Sequence, residues 1–186
     1  MGHGAASLRF PRKVLLGVTG SIAAYKSAQL VRDLVSAGAE VQVILTPAAH
    51  DFVTPLTLAT LSKRPVLTDL VNRADPGSSP GGDGTWNNHV DLAHWADLIL
   101  IAPASANTIG KIAHGLCDNL LLACFMSATC PVFIAPAMDL EMFKDPSTRA
   151  NLDVLHQRGV RRIGPASGEL ASGLEGEGRM TEPDAI

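Results

Sequence analysis

The sequence predicts an α/β fold: a doubly wound, Rossmann-like parallel sheet in a single flavodoxin-like three-layer domain. Two observations lead to this prediction. Short apolar runs of strand length alternate with segments of helical periodicity, and the runs are apolar almost throughout, as in strands covered on both faces. The length of 186 residues suits one domain with a sizeable core.

The N-terminal half is predicted to contain two strands and two helices. KVLLGVT (Lys13–Thr19) is the first strand, and AAYKSAQLVRDLVSAG, with apolar residues at helical spacing, is a helix that ends at Gly38. EVQVIL (Glu40–Leu45) is the second strand, and LTLATLSK, after Pro55, is a short helix. The order strand–helix–strand indicates a parallel pair with a crossover helix.

The C-terminal half continues the alternation. In chain order, the sequence predicts a strand at Asp97–Ala102, a helical region in two pieces at Ile109–Met126, a strand at Pro131–Pro136, a helix at Ser147–Arg158 closed by Gly159, and a fifth short strand in VRRIG. Five strands connected by helices favour a sheet whose ligand site lies at the carboxyl ends of the strands.

The composition excludes several classes of protein. Fifteen basic and 18 acidic residues give a net charge of −3, which argues against a nucleic-acid or membrane-surface binder. No apolar run has the length of a membrane helix, and the N-terminus lacks the pattern of a secretory signal. We expect a disordered tail at residues 1–12 and one domain over residues 13–186. The three cysteines, Cys117, Cys124 and Cys130, are expected to be buried structural thiols in a cytoplasmic protein.

Two segments interrupt the alternation. Residues 73–88 are rich in Gly, Pro, Ser and Asp and are predicted to form a mobile loop. GELASGLEGEGRM (Gly168–Met180) holds four glycines in thirteen residues, a content that helices and strands both disfavour. Its apolar residues indicate something other than a solvated linker, so the segment is either a tail or a flap over a site.

The turn VTGSIAAYK follows the first strand and opens a helix. Gly20 permits close approach of backbone, and the free N–H groups at the helix start, with the Ser21 hydroxyl, suit an anion such as a phosphate. The three-glycine dinucleotide fingerprint is absent, and the second strand ends in Thr46 rather than in an acidic residue, which disfavours NAD. A strand-to-helix turn without a ligand is the alternative.

Three further motifs fall at predicted strand or helix ends. APASANT (Ala102–Thr108) suits close contact with a flat polar ligand or, alternatively, a helix cap by Ser105, Asn107 or Thr108. His89 stands just after the predicted loop, as a site residue or as an ordinary structural histidine. In PAMDLEMF, Asp139 is a candidate helix cap, and the adjacent methionines could serve packing alone.

Together these motifs, in this order, resemble the homo-oligomeric flavin-containing cysteine decarboxylases, and among them those that act on phosphopantothenoylcysteine in coenzyme A biosynthesis. The resemblance runs from about Val14 to Met180. It implies FMN as cofactor, a homo-oligomer (a trimer or a dodecamer) with flavin at the subunit interface, and a fused or separate phosphopantothenate–cysteine ligase. It implies conversion of 4′-phosphopantothenoylcysteine to 4′-phosphopantetheine through flavin oxidation to a thioaldehyde, loss of CO2 and re-reduction of the enethiol.

The resemblance also assigns roles to residues. His89 would be catalytic, and residues 166–180 would be a substrate clamp that closes over the site. The implied FMN-binding residues are Gly20, Ser21, Ile22, Thr46, Pro103, Ala104, Ser105 and Ala106. The implied substrate-binding residues are Asn107, Ala137, Met138, Asp139, Gly168, Leu170, Ala171, Arg179 and Met180.

The sequence departs from the family pattern at three positions. Ser172 stands where much of the family has the acidic cysteine of the clamp, Asp139 stands where it has an asparagine that binds the substrate carboxylate, and Phe143 replaces a tryptophan. A hydroxyl is a far weaker acid than a thiol, so we hypothesise that Asp139 supplies the proton that Ser172 cannot. The alternatives are an oxidative decarboxylase of a peptidyl C-terminal cysteine and a non-catalytic FMN-binding regulatory subunit.

Overall fold

The computed structural model describes residues 11–72 and 85–186. The strands are β1 (Lys13–Val18), β2 (Glu40–Leu45), β3 (Val71–Asn72), β4 (Thr85–Trp86), β5 (Leu98–Ala104), β6 (Val132–Pro136), β7 (Arg161–Arg162), β8 (Ala166–Glu169) and β9 (Glu175–Arg179). The α-helices are α1 (Ser27–Ser36), α2 (Pro55–Ser62), α3 (His89–Trp95), α4 (Ala106–Ala113), α5 (Leu120–Met126), α6 (Leu140–Lys144) and α7 (Pro146–Gln157). Short 3₁₀ helices cover Ile22–Lys26, Pro47–Asp51 and Pro183–Ala185.

The central sheet contains five parallel strands in the order β2-β1-β5-β6-β7. The predicted doubly wound sheet and its five strands are therefore confirmed. The chain moves outward from β1 to β2 and then returns to place β5 on the other side of β1. The connections after β1 and β5 consequently diverge, which opens a crevice at the carboxyl edge of the sheet.

Helices cover both faces of the sheet. Along β1, Leu15 packs into one core cluster with residues of α4, α5 and α7, whereas Val14 and Leu16 pack into a second cluster with residues of α1 and α2. This alternation is the period of two expected of a strand. Because both faces are buried, the strand centres are mostly apolar; Gln42 of β2 is buried, and its side-chain amide donates to the carbonyl of Pro65 at 2.7 Å.

The helix after β1 differs from the prediction in its first turn. Residues Ile22–Lys26 form a 3₁₀ helix before α1 begins at Ser27. The Ala24 N–H donates to the carbonyl of Ser21, three residues earlier, at 2.9 Å, which is the spacing of the tighter helix. The turn at Ser21 is therefore compact and lies directly on the edge of the sheet.

The glycine-rich segment forms an antiparallel hairpin of β8 and β9. The glycine content, which disfavours strands, does not prevent them here, because glycine is also used where two backbones approach closely. The Met138 N–H donates to the carbonyl of Gly178 at 3.0 Å, and a Cβ on Gly178 would lie 2.3 Å from the Met138 oxygen. The hairpin is thus fastened to the loop between β6 and α6.

Other expectations are corrected or lie outside the described residues. Arg12, placed in the predicted tail, donates its N–H to Asp97 and accepts from the Glu40 N–H; residues 1–10 are not described. Of the predicted loop at 73–88, residues 73–84 are not described, and β4 pairs with β3.

Cys117 is exposed rather than buried, since it lies between α4 and α5. Within the described ranges, no helix is long and apolar enough to cross a bilayer.

The contact between Gly178 and Met138 predicts an effect on stability. We expect Gly178→Ala to destabilise the protein by about 1–3 kcal/mol, because the φ of +147° is one that side chains rarely adopt and the new Cβ would meet a carbonyl oxygen. Chemical denaturation measures the change. Gly110→Ala, within α4, is the matched control, because a Cβ at this position would meet only Asn151 Nδ2, at 3.5 Å. An equal loss in both variants would contradict the prediction.

Candidate active site

A cleft of about 860 Å³ lies at the carboxyl edge of the sheet. It is bordered by the turn after β1, the end of β2, the start of α4, the connection from α4 to α5, the loop from β6 to α6, and the β8–β9 hairpin. Of the residues implied by the resemblance, it brings together Gly20, Ser21, Ile22, Thr46, Ser105, Ala106, Asn107, Ala137, Met138, Asp139, Leu170, Ala171, Arg179 and Met180. Most of the predicted set therefore faces one space.

The turn after β1 forms one wall. The Ser21 hydroxyl accepts the N–H of Ala23 at 3.3 Å and so caps the 3₁₀ helix. A Cβ on Gly20 would lie 2.6 Å from the Cβ of Ala48, so only glycine fits between this turn and the residues after β2. Both features keep the backbone close to the cleft.

The start of α4 forms a second wall and is joined to the first through Thr19. The buried Thr19 hydroxyl donates to the carbonyl of Pro103 at 2.8 Å and accepts the N–H of Ser105 at 2.9 Å. The Ser105 hydroxyl in turn caps α4 by accepting the N–H of Thr108 at 3.3 Å. Pro103 and Ala104 are buried and do not line the cleft; they support Ser105 and Ala106, which do.

Asp139 lies on the third wall as the N-cap of α6. Its Oδ1 accepts the N–H of Leu140 at 2.6 Å, so the predicted capping role is confirmed. The side chain is half-buried and borders the cleft. The preceding residue, Met138, donates its N–H to the carbonyl of Gly178, so the backbone next to Asp139 is fixed against the hairpin.

The hairpin forms the fourth wall through residues on both of its strands. Glu169, Leu170 and Ala171 border the cleft from one side of the tip, and Gly178–Met180 from the other. Ser172 lies at the exposed tip, where its hydroxyl accepts the N–H of Leu174 at 3.4 Å. Neither Ser172 nor Gly168 lines the cleft.

Lys26 connects the first wall to the foot of the hairpin. Its side chain is only 6% exposed, and its ammonium donates to the carbonyl of Met180 at 3.1 Å and to the carboxylate of Glu182 at 2.8 Å. Arg179 contacts the same carboxylate at 2.8 Å. The hydrogen bond from Lys26, with the charges of Lys26 and Arg179, lowers the pKa of Glu182. Sequence periodicity does not identify Lys26, since a lysine on a helix is ordinarily exposed.

The connection between α4 and α5 also contributes residues that sequence reasoning missed. Lys111, Asp118 and Asn119 border the cleft. Lys111 pairs with Asp118, and Asn119 caps α5 by accepting the N–H of Leu122 at 3.0 Å. The sequence Cys117–Asn119, inside an apolar segment, could have indicated the start of α5, because Asn and Asp favour helix starts.

His89 is placed apart from the cleft of its own chain. It is the first residue of α3, is half-buried, and does not line the cleft. Its ring lies 6.2 Å from that of Trp86, centroid to centroid. Among the described residues, no group hydrogen-bonds its buried Nδ1. The three cysteines are likewise outside the cleft lining, and burial raises the pKa of Cys124 to about 12, so that thiol is inert.

Comparison with known proteins places the chain in a protein family. The model of the Flavoprotein family matches residues 7–186. The chain belongs to the Flavoprotein family. A cysteine/cysteine sulfinic acid decarboxylase from an unidentified prokaryote is 60% identical over 134 residues, 72% of this chain and 35% of that protein. The coenzyme A biosynthesis bifunctional protein CoaBC of Bacillus subtilis is 46% identical over 94% of this chain and 41% of its own length. The chain therefore spans well under half of these two relatives.

A solved structure extends the family likeness to the fold. A phosphopantothenoylcysteine decarboxylase mutant with serine in place of a cysteine, in complex with pantothenoylaminoethenethiol, has a TM-score of 0.77 and 37% sequence identity. The match covers 92% of each chain. The Rossmann-like fold of this Flavoprotein family member is thus common to a decarboxylase of nearly the same extent.

The bond between Lys26 and Glu182 predicts a pH-dependent contribution to stability. At pH 7 we expect Glu182→Gln to lower the free energy of unfolding by about 1 kcal/mol, since the carboxylate is half-exposed, and the Tm by about 2–4 °C. The pKa of Glu182 is lowered in the folded state, so this stabilisation is complete above the ordinary glutamate pKa of about 4.3. It is lost as the pH falls through the lowered pKa.

Thermal denaturation between pH 3 and pH 8 measures the effect. Glu141→Gln is the control, because Glu141 forms only the exposed pair with Lys144 and should change stability by less than about 0.5 kcal/mol. A difference between Glu182→Gln and the parent that persists unchanged at pH 3 would rule out the ion pair as its cause.

Proposed function

We propose that this chain binds FMN and decarboxylates a cysteinyl carboxylate, with 4′-phosphopantothenoylcysteine as substrate and 4′-phosphopantetheine and CO2 as products. The observation that supports this most directly is the convergence of the β1 turn, the α4 start, the β6–α6 loop and the glycine-rich hairpin on one cleft. The names of two similar proteins, CoaBC and a phosphopantothenoylcysteine decarboxylase, support this choice of substrate. The reaction is a carboxy-lyase reaction in coenzyme A biosynthesis.

The residues present fit FMN. The cleft volume falls within the range of small-molecule sites, about 300–1,000 Å³. The capped helix start at Ser21, with Gly20 pressed against Ala48, suits the phosphate, and Thr46 suits the ribityl chain. Ser105 and Ala106, supported by Pro103 and Ala104, present a small-residue surface suited to the flat ring. These assignments are those that the resemblance to the family implies, and the residues of each wall are compatible with them.

The resemblance to the family also implies the roles of the remaining residues. FMN supplies two-electron oxidation and reduction at the carbon that bears the thiol. Met138 and Asp139 would contact the substrate from the β6–α6 loop, and Leu170 and Ala171 would cover it from the hairpin. A hairpin closed over the cleft would exclude water from a reactive enethiol. Ser172 reaches this space only if the tip moves.

We further propose that the enzyme is a homo-oligomer in which His89 serves the cleft of a neighbouring copy. His89 lies outside the cleft of its own chain, and the apolar side chains of Val71, Trp86 and Val90 nearby are exposed. An apolar patch beside a catalytic candidate is typical of a subunit interface. A trimer or a dodecamer would allow this arrangement. If analytical ultracentrifugation shows that the FMN-bound protein is a monomer, the proposed homo-oligomer is ruled out.

Two further proposals concern context. The CoaBC relatives are longer than this chain, so we propose that a phosphopantothenate–cysteine ligase acts with it, fused or separate. The cysteines are unpaired among the described residues, which suits a reducing compartment, and we place the enzyme in the cytoplasm.

Unacylated cysteine is a second candidate substrate. The relative at 60% identity is named as a decarboxylase of cysteine and cysteine sulfinic acid. The chemistry at the thiol-bearing carbon would be the same, because both substrates carry the cysteinyl carboxylate. The two candidates differ in the charge on nitrogen, which is neutral in the amide of phosphopantothenoylcysteine and positive in cysteine.

The proposed function predicts both colour and product. The purified protein should show the absorbance of bound flavin, or acquire it on addition of FMN, and should convert phosphopantothenoylcysteine to a product lighter by CO2 in mass spectrometry. A product lighter by CO2 and two further hydrogens would indicate that reduction fails. A protein that cannot take up FMN would refute the proposal.

The serine at the hairpin tip predicts that the reductive step is slower than it would be with a thiol at this position. We expect Ser172→Cys to raise the ratio of saturated product to enethiol by about 10²-fold or more, since a positioned general acid contributes about 10²–10⁴ and a thiol is far more acidic than a hydroxyl. Mass spectrometry of the quenched reaction measures this ratio. Ser167→Cys, on β8 of the same hairpin, is the control. An equal ratio in both variants would show that position 172 donates no proton.

A further inference from the structure

We infer that Asp139 is a specificity-determining residue that favours a free ammonium on the cysteinyl nitrogen. On this inference, which rests on the proposed FMN-dependent decarboxylation, the cleft also decarboxylates unacylated cysteine, and among small substrates that lack the phosphopantothenoyl group it prefers cysteine to cysteine acylated on nitrogen. The argument depends on the charges that border the cleft, on the fixed position of one of them, and on the difference between an ammonium and an amide.

The cations that border the cleft are already paired within the chain. Lys26 and Arg179 both contact Glu182, and Lys111 contacts Asp118. Among the described residues, these are the positively charged side chains that line the cleft. A negatively charged substrate group therefore meets no cation without a carboxylate contact, and Lys26 and Arg179 share the single carboxylate of Glu182.

Two of the carboxylates that border the cleft, unlike the cations, have no partner of opposite charge. Within residues 11–72 and 85–186, no cationic side chain pairs with Asp139 or with Glu169, and both line the cleft. The cleft thus presents two carboxylates that have no cationic partner among the described residues. Glu169 is exposed on β8, whereas Asp139 is half-buried, so the charge of Asp139 is the less screened by solvent.

Asp139 is also the better positioned of the two. Its Oδ1 accepts the N–H of Leu140, and its backbone is held against Gly178 of the hairpin. Its Oδ2 has no hydrogen-bond partner among the described residues and is available to a ligand. A fixed carboxylate with a free oxygen is an acceptor that requires a donor, preferably a charged one.

The two classes of substrate differ at the group that would meet this oxygen. The ammonium of cysteine offers three N–H donors and a positive charge, whereas an acylated nitrogen offers one N–H and no charge. A carboxylate near the substrate's own carboxylate would repel it. The adjacent ammonium offsets that repulsion, and an amide does not. Asp139 therefore favours the zwitterion over the N-acylated acid.

The reaction on cysteine balances without a further reagent. The bond between Cα and the carboxyl carbon breaks, CO2 leaves, and Cα gains one proton to give cysteamine. Bound FMN would serve as an electron carrier that is regenerated in each turnover, so the net reaction is neither an oxidation nor a reduction.

The test compares two substrates that differ in charge on nitrogen, cysteine and N-acetylcysteine, on the FMN-bound protein. We expect the parent to show kcat/KM higher for cysteine by about tenfold or more. Asp139→Asn should reduce that ratio by about tenfold, mainly by raising KM for cysteine. Glu141→Gln, which removes a carboxylate two residues away and outside the cleft lining, should leave the ratio unchanged.

A second variant addresses folding. Asp139→Ser retains a good helix cap without the charge, so a lowered ratio in a variant with parental flavin absorbance and Tm supports the inference even if Asp139→Asn is unstable. A ratio unchanged in both variants overturns it. Arrest of both substrates at the enethiol in these variants also overturns it and assigns Asp139 to proton donation.

The outcomes separate this inference from the proposed function. Turnover of phosphopantothenoylcysteine without turnover of cysteine overturns the selection of an ammonium and leaves the proposed function standing. Turnover of cysteine alone supports the inference and overturns the proposed substrate. If the FMN-bound protein acts on none of the three compounds, the decarboxylase function itself fails, and the inference fails with it.

Discussion

The buried hydroxyl of Thr19 holds together the two strand ends on which the cleft depends. It stands at the end of β1 and bonds both the carbonyl of Pro103 and the N–H of Ser105 at the end of β5. Strand order makes the connections after β1 and β5 diverge, and this side chain fixes how far apart they begin. Replacing it with an apolar residue would leave two buried backbone groups without partners.

Much of the fold could be predicted because the central strands are apolar on both faces. Lys13–Val18 and Leu98–Ala104 are buried almost throughout, and a continuous apolar run of this length between turn residues has few other interpretations. The helix caps could also be predicted, because they depend on neighbours in sequence: the side chains of Ser21, Ser105 and Asp139 accept backbone N–H groups one to three residues later. Features determined by neighbours in sequence were therefore accessible.

Features determined by distant contacts were not accessible. The β8–β9 hairpin depends on close approach of Gly178 to Met138, forty residues apart in a sequence that shows only a high glycine content. The burial of Lys26 depends on Glu182, and the position of His89 outside its own cleft depends on where α3 packs. Local composition carries no information about such pairings, so the hairpin, the buried lysine and the unpaired carboxylates required the structure.

The ammonium of Lys26 has one consequence for how the molecule responds to ligands. It belongs to the turn proposed to hold the FMN phosphate, yet its hydrogen bonds go to Met180 and Glu182 at the foot of the hairpin. Any event that orders one end of this side chain also changes the freedom of the other. The two halves of the cleft would then be linked thermodynamically, and such a linkage is reciprocal: if a bound phosphate orders the β8–β9 hairpin, an ordered hairpin raises the affinity for the phosphate by the same factor.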